Sequence, residues 1–193
     1  AKIIGEKYLT HVIGIYDSVE EIPFEDLPDR FVMKLTNGSG FNYICRHKTD
    51  YEIKKIKKRF RQWLKIDFFM LGREWAYKGI RNRILCEEFL ESDAPDGLND
   101  YKVFCFNGEP KLIQVDFGRF TNHRRNLYTT EWRFLDERVA YENDPNANLP
   151  KPLVFDEMLE CARKLSEDFP QVRVDFYCIG NRLVCGETHV LIP

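Results

Sequence analysis

These 193 residues contain no Cys-x-x-Cys pair, no apolar run of membrane-spanning length, no internal repeat and no excess of charge of either sign. Each absence excludes something. Without closely paired thiols there is no legible zinc site or thioredoxin-like motif, and the six cysteines (Cys45, Cys86, Cys105, Cys161, Cys178, Cys185) read as reduced structural thiols of a cytoplasmic protein, since most sit inside apolar strand or helix patterns. With no long apolar run and no signal peptide, the expectation is a soluble chain. The 29 basic and 31 acidic residues leave a formal charge of -2, so no whole-molecule field recruits nucleic acid or an anionic membrane, and any charged partner must be met locally. The string G-x-x-x-x-G-K-[ST] is also missing, which excludes a P-loop. What remains is a globular chain with 44% hydrophobic and 14% aromatic residues, enough for one domain or two small lobes sharing a site. It opens at Ala1 rather than Met and stops at Pro193, so a piece of something longer is expected.

The patterning predicts α+β organisation. Phe31-Val32-Met33-Lys34-Leu35 is a short strand followed by Thr36-Asn37-Gly38-Ser39-Gly40, and Phe41 to Cys45 restores alternation, as in a hairpin around a glycine loop. From Asp50 to about Lys65 the period becomes helical, with Ile53, Ile56, Phe60, Trp63 and Leu64 on one stripe. Arg83 to Leu90 reads as a strand, and Tyr101 to Phe106, Asn107-Gly108 and Leu112 to Asp116 as a second hairpin. Pro145 to Pro152 is a loop, and Asp156 is expected to cap a helix carrying Met158, Leu159, Ala162 and Leu165. The last hairpin runs from Val172 to Tyr177, turns at Gly180-Asn181 and returns through Glu187.

Several groupings have chemical potential, each with a plainer alternative. A three-residue loop in the last hairpin would set Asp175 opposite Glu187, where like charges repel unless a hard cation such as Mg2+ lies between them; Arg173 and Arg182 neutralising both acids is the alternative. Lys34 beside Gly38-Ser39-Gly40 suits a phosphate, because glycines admit close backbone approach and the ammonium neutralises charge, though a tight turn looks the same. Glu87-Glu88-Phe89-Leu90 ends an apolar strand in the way an adenine ring requires, or is an edge strand running into solvent. Asp100 and Lys102 share a face fit for a ribose hydroxyl and a phosphate, or form a surface ion pair. Asp116, Arg119, His123, Arg124 and Arg125 form a polar cluster able to fork onto an anion, or a solvated loop. The lysines of the 54–65 helix read as a solvated face rather than a nucleic-acid surface.

Taken in order, lysine strand, glycine loop, paired-acid strand, Asp-x-Lys strand and Asp…Glu hairpin resemble an ATP-grasp domain. Lys7-Tyr8, Gly14 to Ser18, Leu27 to Lys34, Gly38-Ser39-Gly40, Leu71 to Trp75, Asp100 to Gly108 and Val172 to Asp175 resemble more closely the TupA-like (teichuronopeptide biosynthesis) ATP-grasp family, over nearly the whole chain. The resemblance implies two α+β lobes with antiparallel sheets clamping ATP, at about residues 1–90 and 91–193. It implies ATP and Mg2+ as cofactors, and a carboxylate activated as an acyl-phosphate before an amine attacks. By the same resemblance Lys34 contacts the α and β phosphates, Gly38, Ser39 and Gly40 cover them, Glu87, Glu88 and Leu90 border adenine, and Asp100 takes the ribose. Asp175 and Glu187 are the metal ligands and Arg173 steadies the phosphoryl group; Lys102 and Arg124 are candidates to serve the reacting anions on their own chemistry, apart from the resemblance.

The implied role is a carbon–nitrogen ligase of bacterial cell-surface polysaccharide, joining a small-molecule or glycan carboxylate to an amine donor. Peripheral association with membrane-bound glycan machinery belongs to the same expectation; nucleic acid does not. A nucleotide-binding module without turnover and a sugar or glycan phosphotransferase are the other readings of these residues. The chain departs from the pattern after Glu187: His189 stands where many ATP-grasp enzymes have Asn, and imidazole is a poor ligand for Mg2+.

Overall fold

A computed structural model describes residues 1–38, 40–50, 52–73, 77–91 and 97–190. The chain divides into two compact units, Thr10–Phe89 and a second made of Ala1–Leu9 with Leu90–Pro193. The first residues, grouped above with the amino-terminal lobe, thus leave it. The reason is visible in side chains: Lys7 Nζ and Tyr8 Oη both donate to the Glu157 carboxylate, and Tyr8 packs on the second unit's core.

In the Thr10–Phe89 unit, β1 (Val12–Tyr16), β2 (Phe31–Leu35), β3 (Asn42–Cys45) and β4 (Ile84–Glu88) form an antiparallel sheet in the order β1-β4-β2-β3. Alternation drives it: Phe31, Met33 and Leu35 of β2 and Ile84 and Cys86 of β4 are buried on one face. Helix α1 (Ile53–Trp63) closes that face with Ile56 and Phe60, one turn apart, and Phe60 is fully buried, a contribution of about 1.5–3 kcal/mol. A short helix α2 (Phe68–Gly72) follows, capped by the Asp67 side chain on Phe69 N at 3.0 Å. Strand β1 and helix α2 were not expected. In β1 the glycine at 14 and a register shift between Val12 and Gly14 break the alternation that reveals a strand.

In the second unit, β5 (Asp100–Phe106), β6 (Glu109–Phe117), β7 (Arg124–Tyr128), β8 (Phe134–Leu135), β9 (Gln171–Ile179) and β10 (Arg182–Val190) form one antiparallel sheet, order β10-β9-β5-β6-β7-β8. Helix α3 (Phe155–Ser166) packs Phe155, Met158 and Ala162 against Val103, Ile113, Val115, Val174 and Phe176. Asp156 is not its cap: Val154 holds that position with no side-chain cap, and Asp156 in the first turn pairs with Lys151 at 3.0 Å. The stretch from Arg124 is a strand rather than a coreless polar segment, because Leu127 and Tyr128 are buried and Tyr128 stacks on Trp132 at 4.3 Å. Among the described residues no helix is long and apolar enough to cross a membrane.

Candidate functional site

The face of the six-stranded sheet opposite α3 is ionic. Two cross-strand rows make it: Glu187, Asp175, Lys102 and Gln114, then Tyr177, Asp100, Asp116 and Arg125. Lys102 is the hub. Its Nζ lies 2.7 Å from Asp100 Oδ2 and 2.6 Å from Asp175 Oδ2, and both carboxylates are about 2% exposed. Arg173 forks onto Asp175 through Nε and Nη2 at 2.7 and 2.9 Å, and Arg119 reaches Asp100 at 3.1 Å. Asp100 and Asp116 face each other directly across β5 and β6, an arrangement tolerable only because cations flank both. Burial pushes the Asp100 carboxyl up despite Lys102, and its Oδ1 has no hydrogen-bond partner among the described residues. Burial also pushes Asp116 upward, but Arg125, at 2.6 and 3.1 Å, draws it back below the ordinary carboxylate range. Burial pushes the Tyr177 hydroxyl up, so it stays neutral.

The terminal hairpin opposes Asp175 and Glu187 by a route other than the expected one. Its loop takes two residues, Gly180 and Asn181, with Arg182 paired to Ile179; that register alone would bring Gly186 opposite Asp175. A bulge between Cys185 and Glu187 adds one residue and brings Glu187 into place. Glycine suits the bulge, since a Cβ on Gly186 would lie 3.1 Å from the Tyr177 ring. His189, two residues on, shares the face, and its Nε2 lies 2.9 Å from Glu187 Oε1. One ligand atom each from Asp175, Glu187 and His189 lie within 4.8 Å of one another. Two carboxylates fit a hard divalent cation; the imidazole is the member that fits Mg2+ least well.

In the Thr10–Phe89 unit, Lys34 and Glu87 project from the same face of neighbouring strands, Nζ to Oε1 2.6 Å. Glu87 is 7% exposed and also accepts from Thr10 Oγ1 at 2.9 Å, a partner not expected because the neighbouring strand β1 was not legible. Glu88 points to the opposite face, where its carboxylate accepts from His11 N at 3.0 Å. Period 2 thus separates two side chains grouped together above, and only Glu87 joins Lys34. Gly38 has φ +90°, and a Cβ there would collide with the Phe68 ring, so this turn requires glycine on two counts; Gly40 also has positive φ, and Ser39 lies outside the described residues, as do Glu74 and Trp75. Leu90, half-buried, belongs to the second unit.

Alternation also corrects Arg124. It pairs with Phe117 and projects away from the ionic face, with Nε and Nη2 3.3 Å from the Asn122 side-chain oxygen once that amide is turned to accept from them, whereas Arg125 reaches the face and is spent on Asp116. Gln114, overlooked in the sequence, donates to Asp116 at 3.1 Å; its signal was its place in the Leu112, Gln114, Asp116 alternation.

The family described as TupA-like ATPgrasp matches residues 1–190. No curated protein matches the chain. Among solved structures, a D-alanine–D-alanine ligase from Bacillus anthracis is 16% identical at a TM-score of 0.52, covering 96% of this chain and 52% of that one. The same enzyme complexed with ATP is 13% identical at 0.54, covering 98% and 51%. The D-cycloserine synthetase DcsG is 11% identical at 0.51, covering 100% and 61%. At such identities the likeness is one of fold, and the chain spans about half the length of the solved ligases it matches.

Proposed function

The chain belongs to the TupA-like ATP-grasp family and has the α+β ATP-grasp fold, and from that premise we propose that it is an ATP-dependent, Mg2+-requiring ligase joining a carboxylate to an amine through an acyl-phosphate. The observation behind this reading is the row Glu187, Asp175, Lys102 on one sheet face, two carboxylates and an ammonium held ready without a nucleophile. Phosphoryl transfer asks for that set, since its catalysis is positioning and charge neutralisation.

In this reading Lys34 serves the α and β phosphates and the Gly38–Gly40 loop offers backbone amides to them. Glu87 and Leu90 border the adenine, with Glu87 accepting from its exocyclic amine. Asp100 serves the ribose: its Oδ1, without a hydrogen-bond partner among the described residues, is a buried acceptor to which a hydroxyl can donate. Asp175 and Glu187 hold the cation, which when bound neutralises the transferring phosphoryl group. Arg173 is fixed by its fork on Asp175, so its three remaining N–H groups are held in place without loss of side-chain freedom at the moment of reaction. The solved ligases named above lend this reading their chemistry; a place in cell-surface polysaccharide assembly, with a glycan or small-molecule carboxylate as acceptor, rests on the sequence resemblance alone.

Calorimetric titration with a non-hydrolysable ATP analogue, with and without Mg2+, is the test. Binding that strengthens with Mg2+ and loses that dependence in Asp175→Asn supports the site. Binding indifferent to Mg2+ refutes the metal assignment. ADP release requiring carboxylate and amine together then marks a ligase, whereas a stable phosphorylated product marks a phosphotransferase.

A further inference from the structure

We propose that His189 is a metal ligand that turns the Asp175–Glu187 pair into a site selecting a first-row transition dication, of the Mn2+ class, over Mg2+. This rests on the reading that Asp175 and Glu187 hold a divalent cation. Two features of β10 bring the imidazole there. The Gly186 bulge sets Glu187 opposite Asp175, and the two-residue step from Glu187 to His189 keeps both side chains on one face. His189 Nε2 and Glu187 Oε1 are 2.9 Å apart, in a hydrogen bond whose spacing already matches that of two adjacent ligands: donors about 2.1 Å from an octahedral ion and at right angles are about 3.0 Å apart, so an ion replaces the shared proton without moving either side chain far.

The donor set decides the ion. Mg2+ demands oxygen ligands in near-ideal geometry and gains little from imidazole, while first-row transition dications accept nitrogen and carboxylate oxygen together. Local charge sharpens the choice. Lys102 and Arg173 donate to Asp175, and Lys102 and Arg119 to Asp100, so three positive charges stand against the carboxylates of Asp100, Asp175 and Glu187 and leave little net field to draw in a cation. Where point-charge attraction is nearly cancelled, the nitrogen donor is what remains to separate one dication from another. The same cancellation predicts that the ion arrives with phosphate rather than bare.

The probes are Mn2+ and Mg2+, each with the β,γ-methylene analogue of ATP, which carries no bridging nitrogen. Pulsed EPR of the Mn2+ complex is expected to show imidazole 14N coupling that disappears in His189→Asn. By calorimetry the whole chain is expected to prefer Mn2+ over Mg2+ by about tenfold or more, and His189→Asn to reduce that ratio by about tenfold, the range for losing one ligand interaction. A ratio unchanged in His189→Asn, with no 14N coupling in the parent, overturns the inference. If the cation dependence then still vanishes in Asp175→Asn, the two-carboxylate site stands and only the role of His189 falls. If neither ion alters nucleotide binding, the site itself is refuted and this inference with it.

Discussion

Replacing Arg125 by methionine should unfold the second unit more easily without the variant touching any residue assigned to nucleotide or cation. Asp116 is about 2% exposed, and Arg125 supplies both of its close charged contacts, at 2.6 and 3.1 Å. Removing one partner of a buried pair costs about 3–5 kcal/mol, because the other charge is left behind. Gln114 at 3.1 Å and His123 at 3.5 Å remain to soften the loss, so about 2–4 kcal/mol is expected. Urea denaturation followed by tryptophan fluorescence measures it. The pH dependence is the sharper check. With Arg125 present the folded carboxyl is depressed, so its contribution is complete above the unfolded value near about 3.9 and is lost as pH falls through the folded one. Without Arg125, burial prevails and the folded carboxyl rises, so the deficit is largest at neutral pH and shrinks on acidification as Asp116 takes a proton. Adding Asp116→Asn to Arg125→Met should recover about 1–3 kcal/mol. A deficit below about 1 kcal/mol, or one equal at pH 5 and pH 8, would mean that the fork is ornamental. Arg124→Ala, on the opposite face, should leave both stability and nucleotide affinity near the parent.

Lys34→Ala should weaken ATP far more than adenosine in competition binding, and it should also lower stability by about 1–3 kcal/mol because Glu87 then keeps, among the described residues, Thr10 alone as side-chain partner; equal losses for the two ligands would remove Lys34 from the phosphates. Gly186→Ala should cost about 1–2 kcal/mol through the Tyr177 ring and should blunt the cation dependence of nucleotide binding, so an unaltered cation response would show that the bulge does not set the site. Asp100 is penalised for ionising, which means its stabilising contribution is present at low pH and lost as pH rises through its elevated folded value. Asp100→Asn should therefore narrow the gap between stability at pH 5 and at pH 8; a wider gap contradicts the assignment. Burial pushes the Cys86 thiol up to about 12, so a thiol reagent at pH 8 should react with it only on unfolding, and rapid labelling of Cys86 in the native chain would refute its burial.

The strands with strict alternation were readable in advance: Phe31 to Leu35, Asp100 to Phe106 and Val172 to Tyr177 each bury every second residue, and the helix from Ile53 repeats its apolar positions at helical spacing. What failed to show had a physical reason. Strand β1 is broken by a glycine and a register shift, and β7 hides its core residues at the end of an arginine-rich run. For the site, residue types and order identified the carboxylates and Lys34, but faces and partners required coordinates. The pairing of Asp175 with Glu187 depended on a bulge that no turn rule supplies. The choice of Arg125 over Arg124, and of Glu87 over Glu88, turned on a single step of strand period.

The tie of Lys7 and Tyr8 to Glu157 has a consequence for synthesis. Lys7 lies 150 positions before Glu157, and at about 5–20 residues per second the ribosome needs roughly 8–30 s to make the second after the first. Through that interval the leading segment lacks its docking partner, whereas the last residue of the Thr10–Phe89 unit is made after 82 of those 150 positions (89 − 7), which leaves the remainder for that unit to fold. The nascent chain therefore matures from the inside outward, the embedded unit first. Its host closes last, when an early-made tail and a late-made helix meet.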